Sequence, residues 1–309
     1  MLDLMLNMTQ FVIAGPASQS LAVKIADILK ASLISTEYKR FPDGENYLRL
    51  NIEDGKLLNN QDVIIVHTTA ASANADQNQR IMELIMMISA TKRLNPSHLR
   101  VVVPYLAYSR QDKVFRPGES TIVTEILRWI ELAGATEFYT VDVHAPKVFD
   151  AISIPTFNID PMQVLANTCN ERGLNNPVVI CPDKGAYNRS RAFAKYLGEN
   201  VPVVQFEKKR DVKTGEISMV GDIDVKGREV IIADDMIATG GTMARAIQIA
   251  KKGGATTIYA VGTHPLLIGN AVVKLLSAGT TEIIGTDALD SIAMQVSLAE
   301  IIAEAVNNA

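Results

Sequence analysis

Two adjacent carboxylates, Asp234 and Asp235, followed by the small-residue turn Thr239-Gly240-Gly241-Thr242, give this sequence its densest concentration of chemistry. Val230 to Ala233 read as a buried strand that ends at the two acids, and a helical run begins near Met243. A strand–loop–helix unit of this kind aims several backbone N–H groups and the positive end of a helix dipole at one point, which suits a phosphate. The two acids beside it suit hydroxyls or a hydrated magnesium ion, so the segment reads as a cradle for a sugar phosphate. A lone glycine pair would be read as an ordinary βα turn. Paired acids and flanking threonines, in this order, favour the phosphate site.

Five other segments carry candidate groups. FPDGENYLRL (41–50) places Asp43-Gly44-Glu45 in a turn between two extended pieces; alone this is a hairpin or tight loop. The charge density of this turn, with Phe41 in front, also suits recognition of a base by stacking and of an acceptor by hydrogen bonds. YSRQDKVFRPGES (108–120) gathers Arg110, Lys113 and Arg116 in a long polar loop, a match for a polyphosphate. His144 is expected to end the strand FYTVDVH with Asp142 on the same strand face. In CPDKGAYNRSRAFAK (181–195), Asp183 follows an apolar strand and Lys184-Gly185-Ala186 turn into a helix, a second anion site with an acid at its lip. His144 and Asp183 could share one Mg²⁺, mostly through waters. EKKRDVKTGEIS (207–218) is either a solvated hairpin tip or a mobile flap whose Lys208, Lys209 and Arg210 neutralise charge in a transition state.

The elements that must position these groups alternate along the chain. Apolar runs at 11–15, 63–67, 101–105, 138–144, 178–182, 201–206, 230–235, 258–264 and 282–287 are separated by helical spacing at 18–30, 77–94, 120–133, 188–197 and 242–252. That pattern predicts an α/β protein with mainly parallel sheets flanked by helices. AGATEFYTVDVH (133–144) and GGATTIYAVGTH (253–264) match at six of twelve positions, including Gly134/Gly254 and His144/His264. The simplest account is two copies of one domain, residues 1–147 and 148–309, with the last helix a candidate to pack back on the N-terminal domain. In that alignment the first copy has nine extra residues, which fall in the Arg110–Glu119 loop. Pro104 to Glu119 then becomes the sister of the Asp234–Thr242 loop.

Composition narrows the classes. A length of 309 residues accommodates two domains, and 48% hydrophobic with 21% charged residues is ordinary for a soluble globular protein. A net charge of −4 gives no nucleic-acid footprint. No apolar stretch approaches the ~18–20 residues of a membrane span. The N-terminus lacks a basic region and carries Asp3, which argues against a signal peptide. Met1, Met5 and Met8 all offer starts, so residues 1–7 are set aside from the fold. Cys169 and Cys181 form no disulfide framework and are expected to be reduced thiols in a cytoplasm.

Taken together, FPDGE (41–45), YSRQD (108–112), TVDVH (140–144), PDKGA (182–186), KKR (208–210), DDMIATGGT (234–242) and THPLLIGNA (263–271) resemble the ribose-phosphate pyrophosphokinase family over nearly the whole chain. The resemblance implies two phosphoribosyltransferase-like domains and transfer of the diphosphoryl group of ATP to the anomeric hydroxyl of ribose 5-phosphate. It implies that Asp234, Asp235, Ala238, Thr239, Gly240, Gly241 and Thr242 bind ribose 5-phosphate. Phe41, Asp43, Glu45, Arg110, Gln111 and Asp112 match the ATP site, which the family completes across a subunit interface of a homo-oligomer. Asp183, Lys184, Gly185 and Ala186 match the pyrophosphate loop, His144 and Asp183 the magnesium positions, and Lys208 and Arg210 the flap residues credited with catalysis. Many bacterial members carry Asp where this chain has Ala238 and a second Gly where it has Ala186; the archaeal-type pattern has DKGA and a small residue at position 238. Competing readings are a catalytically silent, nucleotide-binding regulatory relative and a phosphoribosyltransferase. Intact Lys208, Arg210, His144 and Asp183 favour the synthetase.

Overall fold

Each of the nine apolar runs contributes a strand in the computed structural model, which describes residues 10–182, 184–205, 207–210, 217–220 and 224–308, with backbone alone at 184, 207–210 and 217–220. Residues 1–7 lie outside this range. The chain divides into two units, one running to Ile159 and including Ala288–Asp290 and the residues from Leu298 on, the other comprising Asp160–Asp287 and Ser291–Ser297.

The first unit holds β1 (Gln10–Ala14), α1 (Gln19–Leu29), β2 (Ser32–Ile34), β3 (Thr36–Arg40), β4 (Asn46–Leu50), β5 (Asp62–Val66), α2 (Gln77–Lys92), β6 (His98–Val103), α3 (Ile122–Ala133), β7 (Glu137–Val141) and β8 (Thr156–Ile159). Its six-stranded parallel sheet has the order β2-β1-β5-β6-β7-β8, and β3 pairs with β4 as a separate antiparallel hairpin. Because β8 pairs with β7, this sheet runs past residue 147.

The second unit holds α4 (Met162–Asn170), β9 (Pro177–Cys181), α5 (Tyr187–Leu197), β10 (Val203–Gln205), β11 (Glu207–Arg210), β12 (Ile217–Val220), β13 (Glu229–Met236), α6 (Gly241–Lys252), β14 (Thr257–His264), α7 (Ala271–Ala278), β15 (Glu282–Thr286) and β16 (Met294–Val296). The sheet order is β10-β9-β13-β14-β15-β16, with β11 and β12 forming the hairpin. Helix α8 (Ala299–Asn307) belongs to the first unit and packs on α1.

Both sheets are parallel and covered on both faces, which explains strands without polar alternation. In β13, Val230 and Ile232 join the cluster containing Met243, Ile247 and Leu275, whereas Ile231 and Ala233 join the one containing Leu165 and Phe193. Each such side chain contributes roughly 1.5–3 kcal/mol by leaving water.

The internal repeat is real, but the twelve-residue alignment sets it one βα unit out of step. Strand β7 is fifth in its sheet and β14 is fourth; by sheet position β14 corresponds to β6, and β13 to β5. The two matched segments resemble each other because both serve the same local helix-to-strand turn. Gly134 and Gly254 take φ of +121° and +86° after α3 and α6, which glycine adopts without strain. Then Thr136 N–H bonds Leu99 O at 2.9 Å and Thr256 N–H bonds Arg228 O at 2.9 Å, tying each turn to the neighbouring strand. The true counterpart of the Asp234–Thr242 loop is therefore the segment between β5 and α2, not Pro104 to Glu119. Likewise the hairpin carrying FPDGE and the hairpin carrying Lys208-Lys209-Arg210 hold the same chain position in the two units.

Candidate active site

The centre of the second unit's sheet presents the acids. Strand β13 lies between β9 and β14 and continues through Asp234 and Asp235 to Met236, so both acids are strand residues on opposite faces. Asp234 is half-buried beside Gly262, and its Oδ1 accepts the Asp235 N–H at 3.0 Å. Asp235 is buried, with the Arg189 guanidinium of α5 at 3.8 Å from its carboxylate. Arg189 was not singled out in the sequence; the available signal was a basic residue in the first turn of the helix that follows Lys184-Gly185-Ala186.

Beyond the acids the loop is held from one side. Ile237 N–H donates to His264 O at 3.0 Å, Leu267 N–H to Ile237 O at 2.9 Å, and Ile268 N–H to Ala238 O at 3.0 Å. Lys274 of α7, a second residue missed in the sequence, donates from Nζ to Thr239 O at 2.6 Å. Ile237 is buried over Gly262, where a Cβ would lie 2.6 Å from Ile237 Cγ1. Gly240 then takes φ +67° and caps α6 with no side chain. A Cβ there would stand 3.3 Å from Leu275. The first intrahelical bond is Ala244 N–H to Gly240 O at 2.8 Å. Thr239, Gly240, Gly241 and Thr242 thus surround a helix N-terminus whose positive end no side chain of the cap answers.

Next to this loop, Lys184–Ala186 form a 3-10 turn that packs on β13 and leads into α5. Gly185 is exposed and Ala186 buried. Asp183 lies outside the described residues, as does the Lys184 side chain. The sheet therefore brings two strand–turn–helix units, after β9 and after β13, side by side. Lys208 and Arg210 fall in β11, in register with Met219 and Ile217 of β12; their side chains lie outside the described residues.

In the first unit, Phe41 to Glu45 form the tip of the β3–β4 hairpin. Phe41 N–H donates to Glu45 O at 2.7 Å, Glu45 N–H to Asp43 Oδ1 at 3.1 Å, and Arg40 Nε to Gly44 O at 3.1 Å. Phe41, Asp43 and Glu45 are exposed, and the Phe41 ring meets Tyr47 edge-on at 6.3 Å. Arg110 and Gln111 are exposed at the start of the loop from β6 to α3, and Asp112 is half-buried. Glu119 closes that loop by accepting the Phe115 and Arg116 N–H groups at 2.8 and 3.0 Å. His144 is exposed, but it does not end a strand. Strand β7 stops at Val141, and Asp142 turns left-handed with φ +44°, which breaks the strand-face relation expected between Asp142 and His144.

The segment from β5 to α2, counterpart of the Asp234–Thr242 loop, is tied down by protein side chains. Where Gly240 leaves α6 bare, Asp76 caps α2 and accepts the Gln79 N–H at 2.9 Å. Thr68 N–H donates to Ser18 Oγ at 2.8 Å, and Arg80 reaches Glu83 and Ser72 at 2.7 and 2.8 Å. His67 sits against Gly15, with Nε2 3.1 Å from Arg80 O; burial, helped by the Arg80 charge, lowers its pKa to about 3 and keeps the ring neutral. Replacing Asp76 by alanine is expected to cost about 1 kcal/mol of stability. In a unit of this size that lowers Tm by roughly 2–4 °C in scanning calorimetry. An unchanged Tm would show that water caps the helix equally well.

Comparison with known proteins fits this geometry. Residues 10–134 match the N-terminal domain of ribose phosphate pyrophosphokinase, and residues 154–274 match the phosphoribosyl transferase domain, which defines the class as a tandem of phosphoribosyltransferase-type domains. The ribose-phosphate pyrophosphokinase of Methanobrevibacter smithii is 36% identical over 96% of this chain and 100% of its own. That of Vibrio parahaemolyticus is 34% identical over 89% of this chain and 85% of its own. The crystal structure of phosphoribosylpyrophosphate synthetase from Mycobacterium smegmatis superimposes with a TM-score of 0.83 at 27% identity, covering 97% of this chain and 98% of that one. The chain belongs to the ribose-phosphate pyrophosphokinase family.

Proposed function

We propose that the chain transfers the β,γ-diphosphoryl group of ATP to the anomeric hydroxyl of ribose 5-phosphate, giving 5-phosphoribosyl 1-pyrophosphate and AMP for nucleotide biosynthesis. One observation carries the reading: full-length similarity to relatives of that name coincides with a glycine-capped helix N-terminus beyond two adjacent acids. The anomeric oxygen attacks the β-phosphorus, the bond from that phosphorus to the bridging oxygen breaks, and AMP leaves with the bridging oxygen while the hydroxyl proton is released. No protein nucleophile is required, so positioning and electrostatics supply the rate.

In this reading the amides of Thr239 to Thr242 hold the 5-phosphate and Asp234 and Asp235 hold the ribose hydroxyls. Ala238 contributes backbone alone. Asp183, Lys184, Gly185 and Ala186 cradle the transferred diphosphate. Phe41, Asp43, Glu45, Arg110, Gln111 and Asp112 hold ATP, and Lys208 and Arg210 meet the charge that gathers on the phosphoryl oxygens. The first unit then serves the nucleotide and the second the sugar phosphate.

Magnesium fits the donors present. His144 is exposed, which suits an ion that keeps its waters and binds substrate phosphates. His144 and Asp183 would hold it, and when bound it would neutralise phosphate charge. Family resemblance further supports a homo-oligomer with the ATP site near a subunit interface. No helix among the described residues is long and apolar enough to cross a membrane, and the buried free thiols of Cys169 and Cys181 suit a reducing cytoplasm.

Incubation with ATP, Mg²⁺ and ribose 5-phosphate should produce AMP in step with 5-phosphoribosyl 1-pyrophosphate. Formation of ADP, or product that does not depend on ribose 5-phosphate, would reject the assignment. Nothing observed favours the catalytically silent alternative.

A further inference from the structure

Thr69 lies in the segment between β5 and α2, far along the sequence from Arg110, and is fully buried. Its hydroxyl makes two bonds to the chain that leaves β6. Oγ1 donates to Tyr105 O at 2.8 Å and accepts the Ala107 N–H at 2.7 Å, while the Thr69 N–H also donates to Tyr105 O at 3.1 Å. Three bonds from one residue therefore fix Tyr105 and Ala107, on either side of Leu106, and all three side chains are buried. The next residue, Tyr108, is held with φ +65°, and its hydroxyl bonds Asn78 Oδ1. Gln111 N–H returns to Tyr108 O at 3.0 Å. Solvent exposure begins at Arg110. The chain thus passes from a hydrogen-bonded, buried clamp to the exposed Arg110-Gln111 pair in three residues, so Thr69 anchors the segment from which that pair emerges.

We propose that Thr69 is a positioning residue for the nucleotide: it holds Tyr105–Ala107 so that Arg110 and Gln111 are presented to the phosphates of ATP. The inference rests on the assignment of Arg110-Gln111-Asp112 to ATP. It gives a role to the segment that stands where the second unit has its sugar-phosphate loop: there the segment binds a ligand, here it braces the neighbouring loop. Threonine suits the task because one hydroxyl can donate and accept at once. Valine, of the same shape, would leave the Ala107 N–H buried without a partner.

The test is steady-state kinetics on Thr69→Val and Thr69→Ser. Thr69→Val should raise KM for ATP about fivefold to tenfold, the cost of one or two hydrogen bonds, with KM for ribose 5-phosphate within about twofold. Thr69→Ser, which keeps the hydroxyl, should restore KM for ATP to within about twofold. Equal rises in both KM values, or no rescue by serine, would reduce Thr69 to a general core residue and overturn the proposal. Arg110→Ala separates the two layers. An unchanged KM for ATP in Arg110→Ala would sink the ATP assignment, whereas a raised value there with none in Thr69→Val would sink the positioning role alone. Should Thr69→Val not fold, hydrogen exchange on the unaltered protein decides. The Ala107 amide should exchange as slowly as those of β6, and ATP should slow exchange at Arg110 and Gln111. Fast exchange at Ala107, or no ATP effect at Arg110 and Gln111, would overturn the proposal.

Discussion

Replacing Lys208 or Arg210 by alanine should lower kcat by about two to three orders of magnitude while KM for ATP and for ribose 5-phosphate stays within about threefold. The reason is the timing of the charge. In the proposed reading the phosphoryl oxygens of ATP would be met in the ground state by magnesium and by the loops. As the β-phosphorus is transferred, charge shifts onto the phosphoryl oxygens, where cations on a separate element would stabilise it. Strands β11 and β12 form such an element, an antiparallel pair outside the six-stranded sheet. An interaction formed mainly in the transition state raises kcat without tightening either substrate. Single-turnover and steady-state rates of both variants are the measurement. Unchanged turnover would show that this hairpin is a surface feature, and a rise in KM with kcat intact would assign it to substrate binding instead.

Replacing Gly240 by valine should raise KM for ribose 5-phosphate by roughly ten- to a hundredfold, with little change in KM for ATP. Two independent costs meet at this position. A φ of +67° is left-handed, where a β-branched residue is strained by about 1–2 kcal/mol. A Cβ would also press on Leu275 at 3.3 Å, and Leu275 is fully buried in the core between α6 and α7. Relief of either requires the first turn of α6 to move, and with it the amides of Gly241 and Thr242. A phosphate held by several amides at once loses about a factor of ten for each 1.4 kcal/mol of misalignment. Titration of ribose 5-phosphate by calorimetry tests this. Binding as tight as in the unaltered protein would mean that the helix N-terminus does not carry the phosphate.

Much of this architecture was legible before any coordinates. Buried parallel strands need unbroken apolar runs, so nine of them could be read directly, as could the five longer helices between them. Short or edge elements such as β2, β8 and β16 carry too few apolar residues to be distinguished from loops. The candidate segments that are continuous in sequence, the DDMIATGGT loop, the FPDGE turn and the KKR hairpin, could be named from the sequence alone. Partners that reach the site from other elements, Arg189 and Lys274, could not, because nothing in their own neighbourhoods distinguishes them from surface cations. The repeat misled for a physical reason. Gly-Ala-Thr recurs wherever a helix turns into a parallel strand, so the strongest sequence match marked that turn and not the equivalent strands. The strand-face relation of Asp142 and His144 failed because a left-handed residue at 142 is not visible in the apolar pattern.

Two corresponding helix starts differ in their negative charge: Asp76 builds it into the chain at α2, whereas Gly240 brings none to α6, where in the proposed reading a phosphate would supply it. Folding and ligand binding are linked differently as a result. Any ligand that binds only the folded state adds stability in proportion to the logarithm of its concentration over its dissociation constant. The first unit draws nothing from that source at α2, whose capping energy is constant whatever the metabolite supply. With ribose 5-phosphate held at α6 as proposed, the second unit would acquire it only while that ligand is present, so its resistance to heat and proteolysis would rise and fall with the pool of its own substrate.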